Sequence, residues 1–143
     1  MKTTSIYLAA RYASRNEGLR TLGEHLIGLG YQVTANWLWE GEEGKTIQEC
    51  AIMDVEDVRR ADALVFFGER QASENRGGGR WFEFGMAHAL GKRCIAVLNL
   101  DPTVGGHVHL PVGHETVFTG LPDVEIVTSV EELLTVLKME VER

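Results

Sequence analysis

Three almost uninterrupted apolar runs constrain the fold of this chain more than any other feature. The runs are Ser5–Ala10, Asp62–Phe67 and Cys94–Leu98. They lack the regular alternation of apolar and polar residues that marks a strand with one face in solvent. Continuous apolar strands are typical of a parallel sheet covered by helices on both faces. The chain is therefore expected to build a layered α/β domain around such a sheet.

Two further strands and four helices complete the predicted order of elements. Strands are predicted over Tyr31–Trp37 and Val124–Val127. Three helices are predicted to begin at a Ser or Thr that is followed three residues later by Glu, the spacing of a capping box. These pairs are Ser14 and Glu17, Thr46 and Glu49, and Ser129 and Glu132. The remaining helix follows Gly77–Gly79, and Gly30 and Gly91 are predicted to end two of the helices.

This order, βαβαβαβ(loop)βα, predicts a single domain over residues 1–143 with a doubly wound, five-stranded parallel sheet in flavodoxin-like order. In such sheets ligands bind beyond the carboxyl ends of the strands, near the point where the strand order reverses. The loops predicted at that edge are Ala9–Ser14, Trp37–Lys45, Gly68–Arg80 and Asn99–Gly120. The candidate side chains on or beside these loops are Tyr7, Arg11, Arg76, Arg80 and Glu83.

Charge and composition restrict the class of partner. The chain has 14 basic and 21 acidic residues and a net charge of -7. This balance argues against nucleic acid as a partner, although a small anionic ligand needs only a local basic pocket. No apolar run approaches the length of a membrane span, and the first residues show no signal-peptide pattern. We expect a cytoplasmic protein without a membrane partner, in which Cys50 and Cys94 are reduced core thiols.

The segment Gly77–Ala87 is the strongest indication of chemistry. Three glycines end a loop and permit close approach of a ligand to the backbone. A helix then begins, and Glu83 is expected in its first turn between Phe82 and Phe84. Because a helix N-terminus favours the ionised carboxylate, an anionic Glu83 in a semi-apolar pocket is a candidate nucleophile. The alternative is an ordinary N-terminal acid stabilised by the helix dipole.

Asp54 is a second unusual carboxylate. It lies within the apolar stripe of the helix that follows Thr46, where burying a lone carboxylate is costly. The alternative is that Asp54 lies at the edge of the stripe and caps a loop. Asp57 is interpreted as a solvent-facing acid. If Asp54 and Glu83 share a pocket, one can stay ionised while the other hydrogen-bonds the substrate or moves a proton.

Aromatic and basic residues surround the predicted ligand edge. The hydroxyl of Tyr7, near the end of the first strand, could hold a nucleophilic carboxylate, or the ring could simply pack in the core. Several arginines around one loop can hold a phosphate, although exposed arginines are commonly only solvated; they are Arg11, Arg15, Arg76 and Arg80. Three tryptophans could stack a flat ligand or pack in the core or an interface; they are Trp37, Trp39 and Trp81.

The sequence argues against metal binding and against three common types of enzyme chemistry. His107 and His109 form an H-x-H pair, but no further ligand stands at matching spacing, so no metal is predicted. His88 is interpreted as a surface or interface residue. The sequence has no Walker A loop, no G-x-G-x-x-G and no G-x-S-x-G, which argues against nucleoside-triphosphate hydrolysis, dinucleotide redox and α/β-hydrolase chemistry. No cofactor is predicted.

Several of these segments together resemble the nucleoside 2-deoxyribosyltransferase family. The resemblance covers roughly residues 4–100. It includes Ile6–Ala10, Asp54, Asp62–Val65 and the glycine loop. Its most specific part is the stretch E-F-G-M-A-H-A-L-G-K, residues 83–92.

The resemblance implies a flavodoxin-like fold and cleavage of the N-glycosidic bond of a nucleoside. Glu83 falls on the family nucleophile, Asp54 on the acid that contacts or protonates the base, and Tyr7 on the tyrosine that orients the nucleophile. The sugar is then passed to another base or to water, which parallels retaining glycoside chemistry. The resemblance also implies a homo-oligomer, a dimer or larger.

The chain departs from the family pattern at the glycine loop and in the first loop. Gly77 stands at a position where the family commonly has an acid or a small polar residue. The basic loop Arg11–Arg15 is similar to the phosphate-binding loops of the family branch that hydrolyses nucleoside 5′-monophosphates. The substrate is therefore expected to be a nucleoside or its 5′-monophosphate. Its contacts are predicted to be Ala9, Arg11, Trp37, Arg76, Gly77, Gly79, Arg80 and Met86.

Two alternatives to an enzyme stay open at the level of sequence. The same fold could hold a nucleotide or a nucleotide-derived signal without cleaving it. It could also serve as a structural or regulatory partner with no small ligand. A glycosidic-bond-cleaving enzyme is the preferred hypothesis.

Overall fold

The computed structural model describes residues 2–16, 18–68, 78–98 and 117–140. Within them lies one five-stranded parallel sheet, with strands paired in the order β2-β1-β3-β4-β5. The strands are β1 (Ser5–Ala9), β2 (Gln32–Val33), β3 (Ala63–Phe67), β4 (Arg93–Val97) and β5 (Val124–Val127). This is the predicted flavodoxin-like order, which is confirmed.

Five α-helices accompany the sheet in the described residues. They are α1 (Leu19–Gly28), α2 (Trp37–Glu40), α3 (Ile47–Arg60), α4 (Gly79–Ala89) and α5 (Val130–Leu137). Short 3-10 helices span Tyr12–Asn16 and Val117–Gly120. Helices α3 and α4 pack against each other, and the right-handed rule for crossovers between parallel strands puts them on one face of the sheet and α1 on the other. The central strands are buried as their apolar runs predicted; every residue of β1 is buried.

Local capping explains where two helices begin. The hydroxyl of Thr46 accepts the N–H of Glu49 at 3.0 Å, and the Glu49 carboxylate accepts the N–H of Thr46 at 3.1 Å. The predicted capping box of α3 is therefore confirmed. At α5, Ser129 accepts the N–H of Glu132 at 3.1 Å. Gly30 and Gly91 take positive φ angles of 100° and 74° just beyond α1 and α4, as their predicted stop role requires.

The predicted first helix start is wrong. Ser14 lies in the 3-10 helix Tyr12–Asn16, and α1 begins only at Leu19. The residue before it, Gly18, has a φ of 105° and makes no side-chain cap. A left-handed residue breaks the helix between the two segments, because its backbone cannot continue an α-helical turn.

The predicted second strand is too long. Only Gln32–Val33 pairs with β1, and Trp37 begins the short helix α2 instead of ending a strand. Asp57 draws the chain away from the sheet, since its carboxylate accepts the backbone N–H of Asn36 at 2.9 Å and the Asn36 amide at 3.0 Å. A side chain from α3 therefore decides the end of β2.

The expectation that both cysteines are core thiols is met for Cys94 and only in part for Cys50. Cys94 is buried and Cys50 is half-buried, and both are free thiols. Across the described ranges, no helix has the length and apolarity that crossing a membrane would take.

Candidate active site

A cavity of about 250 Å³ opens at the carboxyl edge of the sheet, beyond β1 and β2. Its wall is formed by the end of β1, the loop between α2 and α3 (residues 41–46), helix α3 and the start of α4. Its lining residues are Ala10, Tyr12, Trp37, Glu42, Asp54, Gly78, Gly79, Arg80 and Glu83. The cavity therefore lies where doubly wound sheets bind ligands.

Tyr7 and Glu83 form the central contact of the site. Tyr7 is the third residue of β1 and is fully buried. Its hydroxyl donates a hydrogen bond of 2.6 Å to Oε2 of Glu83, across 76 residues of sequence. Burial, followed by the charge of Glu83, raises the pKa of the Tyr7 phenol, so the phenol stays a donor. This bond fixes one carboxylate oxygen of Glu83 and leaves the other for the cavity.

The electrostatics of Glu83 differ from the sequence-based expectation. Burial raises its pKa to about 8; the charges of Asp54 and Asp57 add to the rise, and the Tyr7 hydrogen bond opposes it. Glu83 is the fifth residue of α4, and the first turn holds no acidic residue. The expected ionisation by the helix N-terminus is therefore wrong, because the dipole acts within the first turn.

The two phenylalanines beside Glu83 have different environments. Phe84 is buried in the core and packs edge-on against Phe66, with ring centroids 5.5 Å apart. Phe82 is 65% exposed and does not line the cavity. Of the two phenylalanines that flank Glu83 in the sequence, only Phe84 is therefore buried, since successive helical residues point in different directions.

Asp54 lies on the cavity wall formed by α3. Its Oδ1 atom is shielded from solvent and has no hydrogen-bond partner among the described residues. Burial raises the pKa of Asp54 to about 6, and the charges of Asp57 and Glu42 contribute to the rise. Because the charge of Asp54 also raises the pKa of Glu83, the two carboxylates share one electrostatic environment.

Asp57 is not the solvent-facing acid that the sequence suggested. Its exposed fraction is 2%. It accepts two hydrogen bonds from Asn36 and is paired with Arg60 of its own helix. The residue therefore supports the wall of the cavity and does not line it.

The predicted substrate contacts divide into three groups. Trp37, Gly79 and Arg80 line the cavity. Ala9 is buried within β1 and its neighbour Ala10 takes the lining position, while Arg11 and Met86 are half-buried outside the lining. Arg76 and Gly77 lie outside the described residues, as do His107 and His109.

Arg80 is a buried wall residue and not an exposed loop arginine. It is only 2% exposed, in the first turn of α4. Its guanidinium carbon lies 5.3 Å from the ring centroid of Phe66 and 5.8 Å from that of Trp81. These cation–π contacts hold a permanent positive charge beside the cavity.

Sequence reasoning missed Tyr12 and Glu42. The Tyr12 ring lies against Trp37, with centroids 6.0 Å apart, and its hydroxyl accepts the backbone N–H of Glu42 at 2.9 Å. Both residues stand on loops that the sequence places at the ligand edge. The available signal was their place on those loops, since neither belongs to a motif.

The described residues offer carboxylate and phenol chemistry. No cluster of three or more potential metal ligands occurs within the described ranges. Two carboxylates on one cavity can provide a nucleophile and a second group that binds or protonates a leaving group. The fixed positive charge of Arg80 suits an anionic part of a ligand.

Sequence comparisons find no family-model match and no curated relative, whereas solved structures share the fold. A 2-desoxiribosyltransferase from Leishmania mexicana aligns with a TM-score of 0.69 and 13% identity over 96% of this chain and 99% of that chain. A CMP N-glycosidase from Clostridium botulinum aligns with a TM-score of 0.57 and 20% identity, covering 94% and 98%. A conserved protein from Enterococcus faecalis V583 aligns with a TM-score of 0.63 and 20% identity, covering 94% and 97%. The resemblance predicted from the sequence is thus confirmed at the level of the fold.

Proposed function

We propose that this protein cleaves the N-glycosidic bond of a nucleoside or of its 5′-monophosphate, with Glu83 as nucleophile. One observation carries the proposal. Glu83 and Asp54 line the same cavity, and the Tyr7 hydroxyl donates a hydrogen bond of 2.6 Å to Oε2 of Glu83. Solved structures that share the fold include a deoxyribosyltransferase and a CMP N-glycosidase, which supports this class of reaction. The donor sugar is proposed to be 2-deoxyribose or ribose.

In the first step, Glu83 attacks the anomeric carbon of the sugar in its ionised form, which is the minor form at neutral pH because burial raises its pKa to about 8. A new carbon–oxygen bond forms as the carbon–nitrogen bond breaks, and the electron pair of that bond leaves with the base. Asp54 contacts the departing base or, in the fraction of molecules in which it is protonated, gives the base its proton. Tyr7 keeps the attacking carboxylate oriented because its hydroxyl holds one of the two oxygens.

In the second step, the sugar ester on Glu83 is transferred. Water attacks the anomeric carbon in a hydrolase, and a nitrogen of a second base attacks it in a transferase; the ester carbon–oxygen bond breaks, and the attacking group loses its proton to Asp54 or to solvent. Either route regenerates the Glu83 carboxylate and retains the configuration of the sugar, since two displacements occur at one carbon.

Two arginines at this edge of the sheet could bind a 5′-phosphate on the substrate. Arg80 lines the cavity, and Arg11 follows β1 nearby. Arginine binds phosphate through charge-assisted, commonly bidentate, hydrogen bonds. Nucleoside 5′-monophosphates are therefore proposed as substrates beside the free nucleosides.

The test compares wild type with Glu83→Gln on deoxynucleosides and nucleoside 5′-monophosphates, each with and without a second free base. Wild type is expected to release free base or to form a new nucleoside. The amide cannot form the ester, so turnover is expected to fall by about 10³-fold or more. Glu24→Gln, an exposed change on α1, serves as the control and should retain full turnover. Absence of turnover by wild type on every substrate would contradict the proposal.

A second candidate, a non-catalytic nucleotide-binding module, is favoured by one observation. The pKa of Glu83 near 8 keeps this carboxyl mostly protonated at neutral pH, and a protonated acid is a poor nucleophile. This candidate predicts saturable nucleotide binding without base release. It also predicts that Glu83→Gln binds as tightly as wild type and keeps the same biological effect.

A further inference from the structure

We propose that Asp57 is a positioning residue of the reaction: its buried carboxylate joins the helix that carries Asp54 to the segment that carries Trp37, and its charge acts on the carboxyl groups of the cavity. The inference rests on the proposed function. It adds a residue that does not line the cavity and lies outside the segments that carry the family resemblance.

The first support is the set of contacts between α3 and the chain just before α2. The Asp57 carboxylate accepts the backbone N–H of Asn36 at 2.9 Å and the Asn36 amide at 3.0 Å. The Asp57 carbonyl accepts the Thr34 hydroxyl at 2.8 Å. Asn36 directly precedes Trp37, which begins α2 and lines the cavity. Asp57 therefore fixes the point at which this tryptophan enters the cavity wall.

The second support is the burial of this contact. Asp57 is 2% exposed, and Arg60 of the same helix supplies the cation that pairs with it. Arg60 also donates to the Thr34 carbonyl at 3.5 Å. A buried carboxylate that accepts N–H hydrogen bonds beside a guanidinium is favoured in its charged form. Asp57 thus supplies a negative charge that is held in place before any ligand arrives.

The third support is the spacing of Asp54 and Asp57. The two residues are three apart on α3, so their side chains share one face of the helix, with Cβ atoms about 5–6 Å apart. A like charge at that distance disfavours ionisation. Burial and then the charge of Asp57 raise the pKa of Asp54 to about 6. After burial and Asp54, the charge of Asp57 also raises the pKa of Glu83.

These contacts give Asp57 two separable effects. Loss of its hydrogen bonds to Asn36 would let Trp37 shift, which weakens ligand binding and raises KM. Loss of its charge would lower the pKa values of Asp54 and Glu83, which moves the pH profile of turnover to lower pH. A residue needed only for folding would change the amount of active protein and leave KM and the pH profile as they are.

The other titratable or charged side chains near these carboxyl groups, among the described residues, come from every element of the wall. They are Tyr7 on β1, Tyr12 on the 3-10 helix, Glu42 on the loop of residues 41–46, Cys50 and Arg60 on α3, and Arg80 on α4. All of them are the same in wild type and in the variants below. A displaced pH profile therefore reports the charge of Asp57.

The test compares the pH profile of kcat/KM for wild type, Asp57→Asn and Glu56→Gln on the nucleoside 5′-monophosphate that wild type cleaves fastest. Asparagine keeps the size of aspartate and one acceptor oxygen but carries no charge. The optimum of Asp57→Asn should move by about one pH unit to lower pH, as expected for loss of a like charge about 6 Å away. Glu56→Gln removes an exposed acid from the same helix and should leave the optimum in place. An unchanged optimum in Asp57→Asn would overturn the inference.

A second variant tests the positioning without removing the charge. Asn36→Ala deletes one hydrogen bond to Asp57 and keeps the carboxylate. Its KM should rise by about 5-fold, the size of one net hydrogen bond, with kcat and the pH optimum unchanged. Gln48→Ala, which removes an exposed amide from α3, is the control and should keep the KM of wild type. If Asp57→Asn does not fold, this variant still decides, because an unchanged KM would overturn the positioning role.

A titration without substrate separates this inference from the proposed function. Carbon-13 NMR follows the carboxyl signals of Asp54 and Glu83, which Asp54→Asn and Glu83→Gln assign. Both titration midpoints should move to lower pH in Asp57→Asn. If wild type cleaves no substrate but the midpoints move, the proposed function fails and the effect of the Asp57 charge stands. If substrates are cleaved but the midpoints stay in place, cleavage stands and the effect of the Asp57 charge is overturned.

Discussion

At the scale of the residue, Glu83 shows a conflict between stability and chemistry. Its carboxyl group is half-buried beside Asp54, and burial raises its pKa to about 8 from an ordinary value of 4.5. An exposed carboxylate would cost nothing to ionise but would be solvated and poorly placed. The protein keeps the group in an environment that disfavours its charged form, as is common at functional sites.

This conflict predicts a pH-dependent gain in stability for Glu83→Gln. Between pH 4.5 and about 8, the native state binds a proton at Glu83 that the unfolded chain has released. The free energy of unfolding of wild type therefore falls as pH rises through this window. Glutamine does not titrate, so the variant does not lose stability in this way. Its free energy of unfolding should exceed that of wild type by about 2 kcal/mol above pH 8, and this difference should shrink toward pH 4.5.

Thermal unfolding of the two proteins across the pH range checks this expectation. The difference in Tm should grow to roughly 6 °C at the alkaline end. Asp54 and the other acids are present in both proteins, so the comparison isolates Glu83. A flat difference, or a variant that loses stability with rising pH, would contradict the environment assigned to this carboxyl.

At the scale of the element, the contact between α1 and α2 depends on a glycine. Gly23 is buried in the middle of α1, and a Cβ placed there would lie 2.8 Å from Leu38 and 3.0 Å from Trp39. Helix α2 also carries Trp37 onto the cavity wall. Close packing of the two helices therefore sets the position of a wall residue.

Substitution of two glycines in α1 tests this packing. Gly23→Ala should overpack the contact and lower the free energy of unfolding by about 1–3 kcal/mol, despite the better helix propensity of alanine. Gly28→Ala is the matched control, because a Cβ placed at Gly28 would meet nothing within 4 Å, and the change should be neutral or stabilising by up to about 1 kcal/mol. Denaturant unfolding measures both, and equal effects would show that the contact is not tight.

At the scale of the whole molecule, an apolar surface suggests self-association. Helices α3 and α4 lie on one face of the sheet and pack against each other. Four of their large apolar side chains are strongly exposed; they are Ile47, Ile52, Phe82 and Leu90. Exposed apolar side chains concentrated on neighbouring helices are typical of an interaction surface. We infer that the expected homo-oligomer forms through this pair of helices.

Sedimentation analysis at micromolar concentration tests the homo-oligomer. Wild type should sediment as a dimer or larger, and Phe82→Glu should shift it toward the monomer because a charge would be buried in the interface. Ile27→Glu is the control, since Ile27 is an exposed apolar residue on α1, on the opposite face. A monomeric wild type, or dissociation caused by Ile27→Glu instead, would contradict the assignment.

The sequence by itself determined the architecture of this protein. The apolar runs of β1, β3 and β4 and the capping box at Thr46 predicted the elements and the order of the sheet, because such signals depend on neighbouring residues and on the hydrophobic effect. The sheet order in turn predicted the edge at which the cavity lies. The roles of Glu83, Asp54 and Tyr7 in catalysis stay predictions.

Only the tertiary structure decided the state of the charged groups. Asp57 is buried because Asn36 and Arg60 satisfy it, and Glu83 has a raised pKa because distant residues exclude water from it. The Tyr7 hydroxyl that holds Glu83 comes from a strand 76 residues away. Desolvation and Coulomb interactions depend on distances in space, and periodicity along the chain does not report those distances.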